Sequence, residues 1–286
     1  MRRVMVLVLA VLAILGWTHA VRAEQLTTAT GYTLLYDAYP ATGPAALVFM
    51  HGKNGTHAAP LIKAFAQRMA QAGITVYLPR MPWSRLWDGT VDDAVSAIDA
   101  LVELAARDGK KVFVGGQSLG ANFTMVYRPV DPPAAVVGKV MTNPGGLLDL
   151  TPSSAQAFWA AIMPSVERAR ALDRDGKGKD KIKFSGTNVV GEKSIEEHYE
   201  TTPEIFLSFH DVERYPSNRA ALRETKIPVF WSSGKKDPIR TGKKPSFDLI
   251  PPNPASVYMD IEGDHNSAMT NAIDPIIAWI KARLAS

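Results

Sequence analysis

Residues 112–122 read VFVGGQSLGAN: five apolar or small residues, Val112 to Gly116, lead into Gln117-Ser118, and the chain then turns at Gly120. Lys111 to Gly115 predicts a buried strand, and Ala121 to Tyr127 predicts a helix behind it. Working outward, the alternation repeats. Upstream, Ala46 to Met50 is an apolar strand, Leu61 to Ala72 a helical stripe closed by Gly73, and Ile74 to Leu78 a further strand. Val91 to Arg107 places apolar residues at Val91, Val95, Ile98, Leu101, Val102 and Ala105, the spacing of one helix face, and Gly109 stops it. Downstream, strands are predicted at Val136 to Met141, Val229 to Ser232 and Val257 to Ile261, then a final helix from Ser267 to Leu284. Leu26 to Thr30 and Tyr32 to Ala38 flank Gly31 as a hairpin ahead of the series. Short apolar strands separated by amphipathic helices require βαβ crossovers, so the class is α/β: a doubly wound, mainly parallel sheet with helices on both faces.

Between Pro144 and Ile227 the rhythm fails. That segment is helical over Ala155 to Leu172 and Ser217 to Thr225, and it presents no clear strand. It reads as a mostly helical cap, about residues 150–225, inserted between two strands of the sheet. Its lysine-rich stretch, Asp173 to Lys181, has glycine at the wrong offset and lysines where a calcium loop needs carboxylates, and reads as a solvated loop.

The 286 residues are 46% hydrophobic and 21% charged, an ordinary globular balance for one large domain, residues 24–286. Residues 1–23 read as a signal peptide: basic Arg2-Arg3, an apolar run from Val4 to Trp17, and the small-residue pattern Val21-Arg22-Ala23. The run is shorter than the roughly 20 residues that span a bilayer, so no stable membrane anchor is expected after cleavage. Loss of Arg2, Arg3 and Arg22 leaves 29 basic against 28 acidic residues, and no basic face remains to suggest nucleic acid. The absence of Cys excludes disulfides, a thiol nucleophile and thiolate metal sites. An exported, cysteine-free chain fits the bacterial periplasm or the extracellular space.

Gly116-Gln117-Ser118-Leu119-Gly120 is a G-x-S-x-G pattern in the strand-to-helix context that a nucleophile elbow needs. Glycine-sized flanks let strand and helix approach, and the hydroxyl projects where helix N-terminal amides favour negative charge. A serine hydroxyl needs a base. Of His51, His57, His198, His210 and His265, only His265 directly follows a late strand at the carboxyl edge of the sheet; His198 and His210 lie in the cap. Asp237, in VFWSSGKKDP, ends the preceding strand and can orient the imidazole. Asp264 adjoins the histidine in sequence and is badly placed for its far ring nitrogen, and Asp260 lies inside a strand. Upstream, His51-Gly52-Lys53 forms a tight turn after a strand, suited to presenting a backbone N–H. Lys53 N–H and Leu119 N–H are the candidate oxyanion hole, and His51 is expected to be structural.

With HGKNG, GQSLG, the aspartate of GKKDP and the histidine of GDHNS in that order, the chain resembles the α/β hydrolases over roughly Tyr32 to Met141 and Ile227 to the C-terminus. The resemblance implies a serine hydrolase: Ser118 attacks an acyl carbonyl with His265 as base and Asp237 as orienting acid, and water releases the acid from an acyl-enzyme. It implies a small acyl substrate, a carboxylic ester before a peptide, amide or thioester, and neither metal nor organic cofactor. Trp83, Trp87, Phe158 and Trp159 are candidates to line or cover an acyl pocket, or simply pack core against cap. A non-catalytic binding module on the same fold is the alternative of a different class.

Overall fold

The structure, a computed structural model, describes residues 21–128, 136–145, 152–190, 193–239 and 243–285, with the backbone alone at 152–159, 187–190 and 193–194. In chain order the elements are β1 (Arg22–Thr27), β2 (Thr33–Tyr39), β3 (Ala45–Met50), α1 (Pro60–Gln71), β4 (Ile74–Pro79), α2 (Val91–Arg107), β5 (Lys111–Ser118), α3 (Leu119–Val126) and β6 (Val136–Pro144). There follow α4 (Pro152–Arg174), β7 (Ile182–Val190), β8 (Lys193–Thr201), α5 (Pro203–His210), α6 (Asn218–Glu224), β9 (Val229–Gly234), α7 (Lys244–Phe247), β10 (Val257–Ile261), α8 (Ser267–Asn271) and α9 (Ile273–Leu284). Eight strands make one sheet in the order β1-β2-β4-β3-β5-β6-β9-β10. From β4 to β10 every pairing is parallel, and β1 and β2 add an antiparallel edge.

Both faces of the central strands are buried, which is why they read as continuous apolar runs. Side chains alternate across a strand, so Ala46, Val48 and Met50 enter the core beneath α2, while Ala45, Leu47 and Phe49 enter the core beneath α1 and α9. Helix α2 begins with a reciprocal cap: the Asp93 N–H donates to Thr90 Oγ1, and the Thr90 N–H donates to Asp93 Oδ2. It buries Ile98, Leu101, Val102 and Ala105 against the sheet. Each large apolar side chain so enclosed contributes about 1.5–3 kcal/mol.

Two expectations are corrected. The cap holds an antiparallel hairpin, β7 with β8, paired from Ile182↔Thr201 to Val190↔Lys193, where no strand was expected. Its inner face is sparse: Phe184, Gly186, Tyr199 and Thr201 are buried, and polar residues between them face out. The final helix is broken at Ala272 into α8 and α9. Pro275 lacks an N–H, and its ring crowds a helical carbonyl four residues back, at Asn271, which disfavours an unbroken helix there.

Residues 1–20 of the expected leader lie outside the described residues, and Arg22 and Ala23 pair with Ala38 and Asp37 at the exposed sheet edge. Among the described residues no helix is long and apolar enough to cross a membrane.

Candidate active site

Parallel strands bring their carboxyl ends to one edge, and the turns after β3, β9 and β10 meet the end of β5 there. At the centre β5 passes into α3 without a loop, and Ser118 takes φ 55°, ψ −119°, a left-handed conformation rare for a residue with a side chain. Its two glycine neighbours permit the turn. A Cβ on Gly116 would clash with the Gly120 carbonyl, and one on Gly120 would clash with the Met50 carbonyl. Thr124 Oγ1 donates to Gly120 O at 2.9 Å and Thr142 Oγ1 donates to Gly116 O at 3.1 Å, holding the turn from both sides. At the other end of α3, the Lys139 ammonium donates to Met125 O and Tyr127 O, both at 2.9 Å, satisfying terminal carbonyls. Burial pushes the pKa of that lysine down to about 7.

His265 and Asp237 meet: His265 Nδ1 and Asp237 Oδ2 are 2.8 Å apart. Asp237 is buried, and its other oxygen accepts the Ile239 N–H at 2.9 Å, which orients the carboxylate. With Nδ1–H donated to Asp237, the Nε2 lone pair is left free to accept a proton. The two carboxylates weighed against Asp237 are engaged elsewhere. Asp264 Oδ1 accepts from the N–H groups of Ser267 and Asn266 and from Ser267 Oγ, and these bonds, the Ser267 N–H first, hold its pKa down to about 2. Asp260 accepts from the Tyr258 hydroxyl at 2.9 Å.

The turn after β3 lies against the serine. A Cβ on Gly52 would come within 2.7 Å of Gln117 Oε1 and 3.0 Å of Ser118 Cβ. Within this turn the Asn54 N–H donates to Trp83 O and the Gly55 N–H donates to Gly52 O, both at 3.0 Å, whereas the Lys53 N–H has no acceptor among the described residues. Leu119 opens α3, where the first N–H groups have no intrahelical acceptor. His51 braces the turn from below: its Nδ1–H donates to Gly52 O at 2.8 Å, and its Nε2 accepts the Met81 N–H at 3.1 Å. Both nitrogens are thus used by the neutral ring, and burial lowers its pKa to about 4.

Trp83 and Trp87 are buried in the seam between sheet and cap. Trp83 stacks on Phe123 with centroids 4.2 Å apart, and its Nε1–H donates to His51 O. Trp87, at φ 43°, stands edge-on to Tyr199 and Phe209, and its Nε1–H donates to Asn54 Oδ1 at 2.7 Å. Phe158 and Trp159 lie on α4, and their side chains are outside the described residues. Among the described residues no group of three or more histidines or carboxylates gathers that could hold a metal ion.

Three contributors escaped the sequence reading. Gln117 Nε2 and Asn143 Nδ2 both donate to His265 O, at 3.2 and 2.9 Å. Lys53 Nζ reaches the cap, where Glu197 Oε2 accepts from it at 2.6 Å and from the Tyr199 hydroxyl at 2.7 Å. Only Asn143 left a trace, an Asn-Pro step closing a strand, which signals a turn.

The chain matches no protein-family model and no curated protein. Solved structures do match. DcsB, in complex with its substrate analogue, aligns at TM-score 0.70 and 14% identity over 92% of this chain and 100% of that one. The α/β hydrolase GrgF from Penicillium sp. sh18 aligns at 0.69 and 15%, over 93% and 100%. A soluble variant of monoglyceride lipase from Saccharomyces cerevisiae aligns at 0.63 and 12%, over 93% and 96%. The chain therefore has the α/β-hydrolase fold.

Proposed function

We propose that this protein is a serine hydrolase of carboxylic esters. The observation that carries the reading is the His265–Asp237 pair, 2.8 Å apart and on the same sheet edge as the strained turn at Ser118. In the reaction, His265 Nε2 takes the Ser118 hydroxyl proton as Oγ bonds to the ester carbonyl carbon. Asp237 stabilises the resulting imidazolium, and the Lys53 and Leu119 amides receive the negative charge on the carbonyl oxygen. The tetrahedral intermediate collapses with protonation of the leaving alcohol by His265, leaving an acyl group on Ser118. Water, deprotonated by the same imidazole, releases the acid and restores the serine. An ester is favoured over an amide or thioester because a monoglyceride lipase is among the matched structures.

A fluorophosphonate probe is expected to label the wild type and to leave Ser118→Ala and His265→Ala unlabelled; equal labelling of wild type and Ser118→Ala would sink the assignment. Asp237→Asn should fold normally and lose about 10³- to 10⁴-fold in kcat on nitrophenyl esters. An unchanged rate would move the acid elsewhere. We further propose that residues 1–23 are an export leader, which a mass of the exported chain beginning at Glu24 would support.

A further inference from the structure

Asn143 sits where β6 carries one residue more than β5. Gln117 pairs with Thr142 and Ser118 pairs with Pro144, so Asn143 is extruded between them, at φ 45° and buried. Such a bulge re-aims a side chain, and asparagine tolerates the left-handed backbone better than most residues. The amide so aimed joins two loops: Nδ2 donates to His265 O at 2.9 Å, and Oδ1 accepts the Gly234 N–H at 2.7 Å. Gly234 begins the turn that carries Asp237, whose N–H donates back to Gly234 O at 3.0 Å. One side chain from the strand beside Ser118 therefore holds both the acid-bearing and the base-bearing loop.

We infer that Asn143 is the positioning residue that fixes the His265 imidazole relative to Asp237 and Ser118, acting through the His265 main chain. The inference rests on the proposed catalytic roles of Ser118 and His265. Gln117 supplies a second donor to the same carbonyl, but it does not reach the Asp237 turn. Misplacing a catalytic group by about 1 Å can cost on the order of 100-fold in rate.

The decisive variants are Asn143→Gly, which keeps the left-handed bulge and deletes both bonds, and Asn143→Asp, which keeps the acceptor for Gly234 and loses the donor to His265. On a nitrophenyl ester, both are expected to lose about 10- to 100-fold in kcat per fluorophosphonate-titrated site, with KM within about twofold of wild type. Proton NMR supplies a readout independent of turnover. The wild type should show a low-field resonance from the His265 Nδ1 proton, broadened or lost in Asn143→Gly. Wild-type kcat together with an intact resonance in Asn143→Gly would overturn the inference and leave Asn143 with a backbone role alone. If Asn143→Gly fails to fold, Asn143→Asp decides by the same two measurements. A wild type without esterase activity would defeat the functional reading instead, and the resonance would still decide whether Asn143 positions the ring.

Discussion

A methyl group at residue 116 has nowhere to go. Its carbon would overlap the Gly120 carbonyl, which is backbone and cannot swing aside, so Gly116→Ala must push β5 and α3 apart at Ser118. The expected cost is about 1–3 kcal/mol in urea unfolding, with a fall in kcat larger than the loss of folded protein explains. An alanine variant with wild-type kcat and stability would show that the turn relaxes without moving the serine. This demand for glycine is what made GQSLG readable: steric exclusion removes side chains from fixed positions and so leaves a pattern. The places of Ser118, Asp237 and His265 on one sheet edge were readable for a related reason, since each lies at or just past the end of a strand whose apolar run marks it. Asn143 and Gln117 were not. Both bond to the main-chain carbonyl of His265, and any residue at 265 would offer that acceptor.

At the scale of elements, the sheet was legible because its strands are buried on both faces, whereas the β7–β8 hairpin shows the core only one sparse face. β8, KSIEEHYET, carries three glutamates and a lysine, and no apolar alternation announced it. One of those charges nevertheless ties cap to sheet: Glu197 pairs with Lys53 of the turn after β3, and the pair is mostly shielded, with side-chain exposures of 15% and 23%. Removing one partner strands the other in a poorly solvated place, while removing both leaves neither charge uncompensated. Glu197→Gln and Lys53→Met should each destabilise the fold, and the double variant should lose less than their sum by about 1 kcal/mol or more. Hydrogen exchange at β7 and β8 should quicken in Glu197→Gln. Strictly additive thermal unfolding across the three variants would mean that the pair does not couple hairpin to turn. Because the Lys53 N–H is one of the two amides proposed for the oxyanion site, the same contact would set how firmly the cap holds that site.

Across the whole molecule, the α/β architecture followed from the rhythm of apolar runs, but the way cap and sheet are locked together did not, because it depends on side chains distant in sequence. Two buried histidines, His51 on the sheet side and His210 in the cap, are expected to make the fold sensitive to acid. His51 lies under the turn after β3. His210 stacks on Phe206 in the cap, with centroids 4.4 Å apart, and its Nδ1–H donates to Phe206 O at 3.0 Å. Burial lowers the pKa of His51 from 6.5 to about 4 and that of His210 from 6.5 to about 3. Between those values and 6.5 the unfolded chain binds more protons than the folded one, so stability falls as pH drops through this window. Their contribution is intact above pH 6.5, and by pH 4 each ring has cost roughly 3 kcal/mol, at about 1.4 kcal/mol for each unit of pH. His210→Phe keeps an aromatic ring in the stack and removes one titrating group. Its urea midpoint should therefore decline less steeply from pH 6.5 to 4 than that of the wild type, whatever the carboxylates contribute to both. Parallel declines would mean that the folded state accommodates a charged ring at 210, and the acid sensitivity of the cap would then have to lie elsewhere.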